Sequence, residues 1–219
     1  MSHRTATVVV TLALLMAVTT GRAQALLTTI GTADYLGNSY NLIYDNASPF
    51  GSIVWLDYTR VHDNWTNQKS WAWDLNVAGT INYHLNPGVN MNWGGNWRLP
   101  STVDDPASDG YNVTTSEMGH LYYTELAKPV GGPLGDPAPF TKLLSVEYWS
   151  GTESANFTDY AWFFSTYNGY QYPNYEGINY YAMAVRPGEL ESAAVPEPST
   201  FLLLGAGLGG LAFWRKRKW

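Results

Sequence analysis

Two nearly continuous apolar runs, Val8–Val18 and Phe201–Trp214, bracket a longer stretch in which apolar and polar residues alternate on short periods. Within that stretch Tyr40-Asn-Leu-Ile-Tyr44 and Ile53-Val-Trp-Leu-Asp-Tyr58 carry the apolar patterning of strands. The turn-rich segment Asp45–Gly51 lies between them, so the two are predicted to pair as a hairpin. From about Asn67 to Ala78 the period changes: Trp71, Leu75 and Ala78 recur at helical spacing, and Gly79 is a natural stop. A second helix is predicted after Thr114-x-x-Glu117, which has the form of a capping box. Met118, Leu121, Tyr122 and Leu126 line one face there, and Pro129 forbids continuation. The Gly/Pro-rich segment Pro129–Pro139 reads as a loop. Three further strands follow near Glu147–Gly151, Tyr160–Tyr167 and Tyr180–Arg186. Asn168-Gly169 makes a turn, and Tyr172-Pro173 indicates a loop after it. The pattern as a whole predicts an α+β fold, with short antiparallel strands and two main helices.

The two apolar runs belong to other business. Arg4 precedes the first, and Ala23-Gln24-Ala25 closes it with the small-x-small pattern read by signal peptidase, so residues 1–25 form a signal helix removed after Ala25. The second run spans only ~21 Å as a helix, short of the ~30 Å hydrocarbon core, and is a poor permanent anchor. Before it stand Pro196-Glu197-Pro198, and directly after it Arg215-Lys216-Arg217-Lys218, whose charge holds that end in the cytoplasm and leaves the preceding residues outside. Motif, hydrophobic C-terminal helix and basic cluster in that order resemble a PEP-CTERM signal. The resemblance implies an exosortase as processing partner, transient anchoring in the inner membrane, and a final location at the envelope, surface or extracellular matrix. The chain thus divides into a signal peptide (1–25), one domain (26–190), and a linker with sorting signal (191–219).

Charge narrows what the domain can meet. Between Leu26 and Ala194 lie six of the 12 basic residues but 17 of the 18 acidic ones, an excess that repels nucleic acid and sulfated or phosphorylated polymers. Neutral glycans, cations and cationic surfaces remain. Cysteine is absent, which excludes disulfides, thiol nucleophiles, thiolate zinc sites and c-type haem. A domain of this length and aromatic content is expected to fold on its core alone.

A second resemblance rests on an ordered set of segments: Asn96-Trp97-Arg98-Leu99-Pro100, Tyr148-Trp149-Ser150-Gly151-Thr152, Ala161-Trp162 and Ala184-Val185-Arg186-Pro187, together with Asp57 and Trp71-Ala72-Trp73. The set is similar to the Lcl C-terminal domain, named for a collagen-like bacterial adhesin, and implies a compact C-type-lectin-like domain. The acidic stretch Ser101–Val113 departs from that family, which runs from W-R-L-P directly into a helix.

Candidate chemistry is sparse. Arg98 and Arg186, set among apolar residues, are expected to pair with carboxylates inside the fold. The motif tryptophans are expected in the core. Tyr167, Tyr170, Tyr172 and Tyr175, interleaved with Asn and Gln, have the composition of a recognition surface and are the candidate glycan contacts. Asp105-x-x-x-Asp109-Gly110 fails as an EF-hand loop, because Ala107 and Ser116 stand where ligands are needed. Glu117-x-x-His120 is half of a di-iron motif whose second half is missing, and His120 reads as a helix-surface residue. No catalytic set, metal site or cofactor is assigned. The sequence therefore points to a non-catalytic structural or adhesive protein of an exopolysaccharide or biofilm setting. A neutral-glycan-binding module is the alternative, and a glycoside hydrolase, with some pair of the 17 acids converging, the more remote one.

Exported protein should begin at Leu26. N-terminal sequencing checks this, and exported material that retains Met1 would refute the signal peptide.

Overall fold

The computed structural model describes residues 27–191; the signal helix, the sorting motif and the C-terminal hydrophobic helix lie outside the described residues. Nine strands form one mixed sheet: β1 (Thr28–Tyr35), β2 (Asn38–Asp45), β3 (Ile53–Asp63), β4 (Asn82–Leu85), β5 (Met91–Trp93), β6 (Glu147–Glu153), β7 (Tyr160–Ser165), β8 (Gln171–Tyr175) and β9 (Tyr180–Leu190). Their spatial order is β4-β1-β2-β3-β9-β6-β7-β8, with β5 on the far end of β9. All neighbours run antiparallel except β6 and β9, which touch at Tyr148 and Tyr181 in parallel. The predicted β2–β3 hairpin is present, with Ile43 opposite Trp55.

The central strands are apolar on both sides because both sides are covered. Ile53, Val54, Trp55 and Leu56 are all fully buried, and the same holds for Ala182, Met183, Ala184 and Val185 on β9. Alternate residues feed two cores. Val54, Leu56, Ala182 and Ala184 join Trp65, Trp71, Leu75, Trp97 and Trp149 on one side. Ile53, Trp55, Met183 and Val185 join Met118, Leu121, Tyr122 and Phe140 on the other. This two-sided burial explains why β3 and β9 read as continuous runs rather than alternations.

The expectation of an α+β fold with two main helices is corrected: helix makes up only 13 % of the described residues, and the sheet dominates. The first helix exists as α1 (Trp65–Asp74), shifted toward the N-terminus because Asn64 caps it by accepting from Asn67 N at 2.9 Å. The second is one α-turn, α2 (Glu117–His120), followed by a π-turn over Leu121–Glu125. The capping box fails for an identifiable reason. Glu117 does not fold back on Thr114, because its carboxylate accepts from Arg98 Nη1 at 2.7 Å, Arg98 Nη2 at 2.8 Å and Ser101 N at 2.6 Å. Ser116 caps instead, through Gly119 N, and the helix loses its first turn.

Strands that the sequence pattern hid have reasons too. β1 is built largely from Thr, Gly and Ala and bulges between Thr29 and Gly31. A side chain at Gly31 would collide with the backbone at His84 and Leu85 of β4. β8 replaces the loop expected after Tyr172-Pro173, since it is the outermost strand and an edge tolerates proline. The Gly/Pro-rich loop is indeed a loop. It is pinned at its exit by the fully buried Asp57 carboxylate, which accepts from Thr141 N, Thr141 Oγ1 and Lys142 N at 2.8–2.9 Å.

Glu117 is fully buried, whereas the Arg98 side chain keeps one-third of its surface in water. Changing Glu117 to Gln should therefore cost ~2–3 kcal/mol, below the ~3–5 kcal/mol of a wholly buried broken pair. Chemical denaturation of both proteins checks this; an unchanged midpoint would show that the pair bears no load.

Candidate functional site

The resembling segments converge on one framework. Arg98 and Val185 exchange both backbone hydrogen bonds at 2.9 Å, joining W-R-L-P to A-V-R-P. Pro100 O accepts from Gly151 N at 2.7 Å and from Ser150 Oγ at 2.9 Å, joining W-R-L-P to Y-W-S-G-T. The tryptophans of these segments, Trp97, Trp149 and Trp162, are buried as expected, but Trp73 is exposed. Arg98 has its carboxylate partner. Arg186 does not: its guanidinium donates to Gly95 O at 2.7 Å and Tyr83 Oη at 3.0 Å and lies 4.6 Å from the Trp93 ring centre. Aromatic faces substitute for the missing anion.

The four candidate tyrosines divide. Tyr170 and Tyr172 stack with ring centres 6.3 Å apart, and Tyr111 meets Tyr170 edge-on at 5.0 Å. Tyr175 packs edge-on against Tyr160, which touches Phe157. Tyr167 stands exposed beside the Asn168-Gly169 turn. Gly169 adopts positive φ there, in a place where any side chain would strike the Tyr123 ring.

Of these rings, Tyr172 and Phe157 border a cleft of ≈ 290 Å³, lined also by Pro106, Asp109, Ser154, Asn156, Trp162 and Pro173. Trp162 and Pro173 are buried and make its floor; Phe157 and Tyr172 are exposed and make its rim. The acidic stretch that departs from the Lcl pattern builds one wall, and two of its three carboxylates are spent on structure. Asp104 accepts from Trp162 Nε1 and Ala155 N at 2.9 Å each, and Asp105 accepts from Ala107 N at 2.7 Å. Asp109 accepts from Tyr170 Oη at 3.2 Å. Ser154 Oγ is buried with no partner. The sequence signals for this cleft were the tyrosine cluster and the acidic insertion; Asn156 stood out only as the start of an Asn-Phe-Thr sequon, and Phe157 carried no signal.

A larger cavity of ≈ 400 Å³ opens beside W-R-L-P, lined by Lys69, Trp73, Trp97, Arg98 and Leu99 among others. Three of its lining groups are already engaged: Arg98 with Glu117, Trp97 Nε1 with Tyr83 Oη at 2.7 Å, and Lys69 over the Trp65 ring at 3.7 Å. The exposed Trp73 ring and the hydroxyls of Ser70 and Ser101 complete its lining.

His120 is not the surface residue expected. The π-turn places Glu125 five residues on, with Oε1 3.1 Å from His120 Nε2, and the end of β2 brings Asp45 to the same point. Burial, and then the charge of Asp45, push the Glu125 carboxyl up, against the opposing hydrogen bond and charge of His120.

Residues 194–218 match the sequence model of the PEP-CTERM protein-sorting motif. No curated protein and no solved structure matches this chain. The likeness of residues 26–190 to the Lcl C-terminal domain has no support from a family match. The motif identifies an exported protein sorted to the cell envelope through exosortase processing. Pro196, Glu197, Pro198 and Arg215–Lys218 fall inside the matched segment, while Ala23 and Ala25 of the cleavage site lie outside the described residues.

Proposed function

We propose that the sorted protein is a non-catalytic adhesive component of the cell surface or extracellular matrix, and that its domain holds neutral exopolysaccharide in the cleft between Phe157 and Tyr172. The observation that carries this reading is the cleft itself: an exposed aromatic rim over a buried Trp162–Pro173 floor, with Asn156 and Asp109 at hydrogen-bonding positions. Aromatic faces pack on the apolar faces of sugar rings, and amide or carboxylate groups meet the ring hydroxyls. The excess of acidic residues favours an uncharged polymer over an anionic one. The similarity of the W-R-L-P and A-V-R-P segments to a domain named for an adhesin supports the same direction, although those segments serve the frame of the domain rather than the cleft.

Affinity electrophoresis through neutral polysaccharides tests this. Tyr172→Ala and Phe157→Ala should each weaken retardation about tenfold, equivalent to ~1.4 kcal/mol, while Trp73→Ala leaves it unchanged. Retardation lost with Trp73 instead would move the site to the cavity beside W-R-L-P. No retardation by any glycan would favour a purely structural protein.

Sorting by cleavage is tested at the tail. Surface-exposed protein should lack Phe201–Trp219, and Glu197→Ala should accumulate as an uncut inner-membrane form. A plain anchor would depend on apolar length and on the basic cluster, not on one carboxylate in an extended Pro-Glu-Pro segment. Mass spectrometry of the C-terminus in each fraction decides it; intact Trp219 on surface-exposed protein would contradict processing.

A further inference from the structure

We infer that Asp45, His120 and Glu125 form a binding site for one zinc ion, at the junction of β2 with the π-turn. One ligand atom from each residue lies within 4.8 Å of the other two. A tetrahedral ion with bonds of ~2.0–2.2 Å holds its ligand atoms ~3.3–3.6 Å apart, so a small closure of side chains suffices. The setting is enclosed: Asp45 is 1 % exposed, and the side chains of Glu125 and His120 are 2 % and 13 % exposed. His120 is the side on which solvent, and an ion, reach the group.

Three features separate this group from an ordinary hydrogen-bonded cluster. The first is charge. Two carboxylates face each other out of water, and among the described residues no Lys or Arg side chain pairs with either. A protonated imidazole would cancel only one of the two charges, whereas a divalent ion cancels both. The second is backbone. A regular α-helix would bring residue 124 beside residue 120, and Thr124 offers no such ligand. The π-turn over Leu121–Glu125 delivers Glu125 instead. The third is support. Asp45 Oδ1 accepts from Ala47 N at 3.0 Å, and Trp55 Nε1 lies 3.4 Å from Oδ2, which orients the carboxylate but leaves lone pairs free.

The donor set selects the metal. One imidazole nitrogen and two carboxylate oxygens suit zinc, with water as fourth ligand. Calcium takes ~6–8 oxygens and has no use for the imidazole. Bound zinc would clasp the short α2 and its π-turn to the end of β2, compensating for the helical turn that α2 gives up.

The test uses the untagged full chain, stripped with chelator and titrated calorimetrically with zinc chloride. One equivalent should bind, and the melting temperature should rise with free zinc. Glu125→Gln keeps side-chain size and His120→Ala removes the nitrogen; each should lower affinity by ~100-fold or more while circular dichroism shows an intact fold. Cobalt substituted for zinc should give the visible absorption of a low-coordinate site, absent in both variants. Failure to bind zinc, or binding undiminished in His120→Ala, would overturn the assignment, the latter by placing the ion on another histidine.

Discussion

A buried carboxylate that must be neutralised sets much of this architecture. Glu117 lies wholly out of water and takes three hydrogen bonds, two from Arg98 and one from Ser101 N. Such a group is tolerated only when nearly every lone pair is met, so the W-R-L-P segment and the start of α2 are held at fixed separation. Arg98 is in turn locked to Val185 on β9, the strand on which β3, β5 and β6 all converge. One carboxylate therefore ties the loop layer to the hub of the sheet.

The outer features hang on that frame. Pro100 fixes Gly151 and Ser150 at the far end of β6, and β6 carries β7 and β8 outward. The acidic insertion continues from Ser101 and is stitched to β7 by Asp104 on Trp162, then to β8 by the paired backbone groups of Gly110 and Gln171. The cleft between Phe157 and Tyr172 is what remains between insertion and strand edge. Loop walls on a rigid sheet are a common way to place recognition away from the parts that carry stability.

The sequence was legible where local pattern and tertiary role agree. Apolar runs revealed β3 and β9, and the tyrosine cluster pointed to the face that bears the cleft. It misled where one side chain served a distant partner. Glu117 has the spacing of a cap residue, yet its partner is Arg98, 19 residues away. His120 has the spacing of a surface residue, yet the π-turn, which no periodicity encodes, brings Glu125 to it beside Asp45. β1 and the edge strand β4 escaped because their small and polar residues lack an apolar rhythm, and β8 because proline argues against strands except at an edge. The arginines show both outcomes: Arg98 found its carboxylate, and Arg186 found aromatic faces instead.

Hydrogen exchange of the full chain, with and without the producing cell's own polysaccharide, tests the account most directly. The amides of Arg98, Ser101 and Val185 should exchange only through global unfolding in both states, since they belong to the frame around Glu117. Added polysaccharide should slow exchange at Asp109–Gly110, Asn156–Phe157 and Gln171–Tyr172. Rapid local exchange at the frame, or protection gathered at Lys69–Trp73 instead of the cleft, would contradict it.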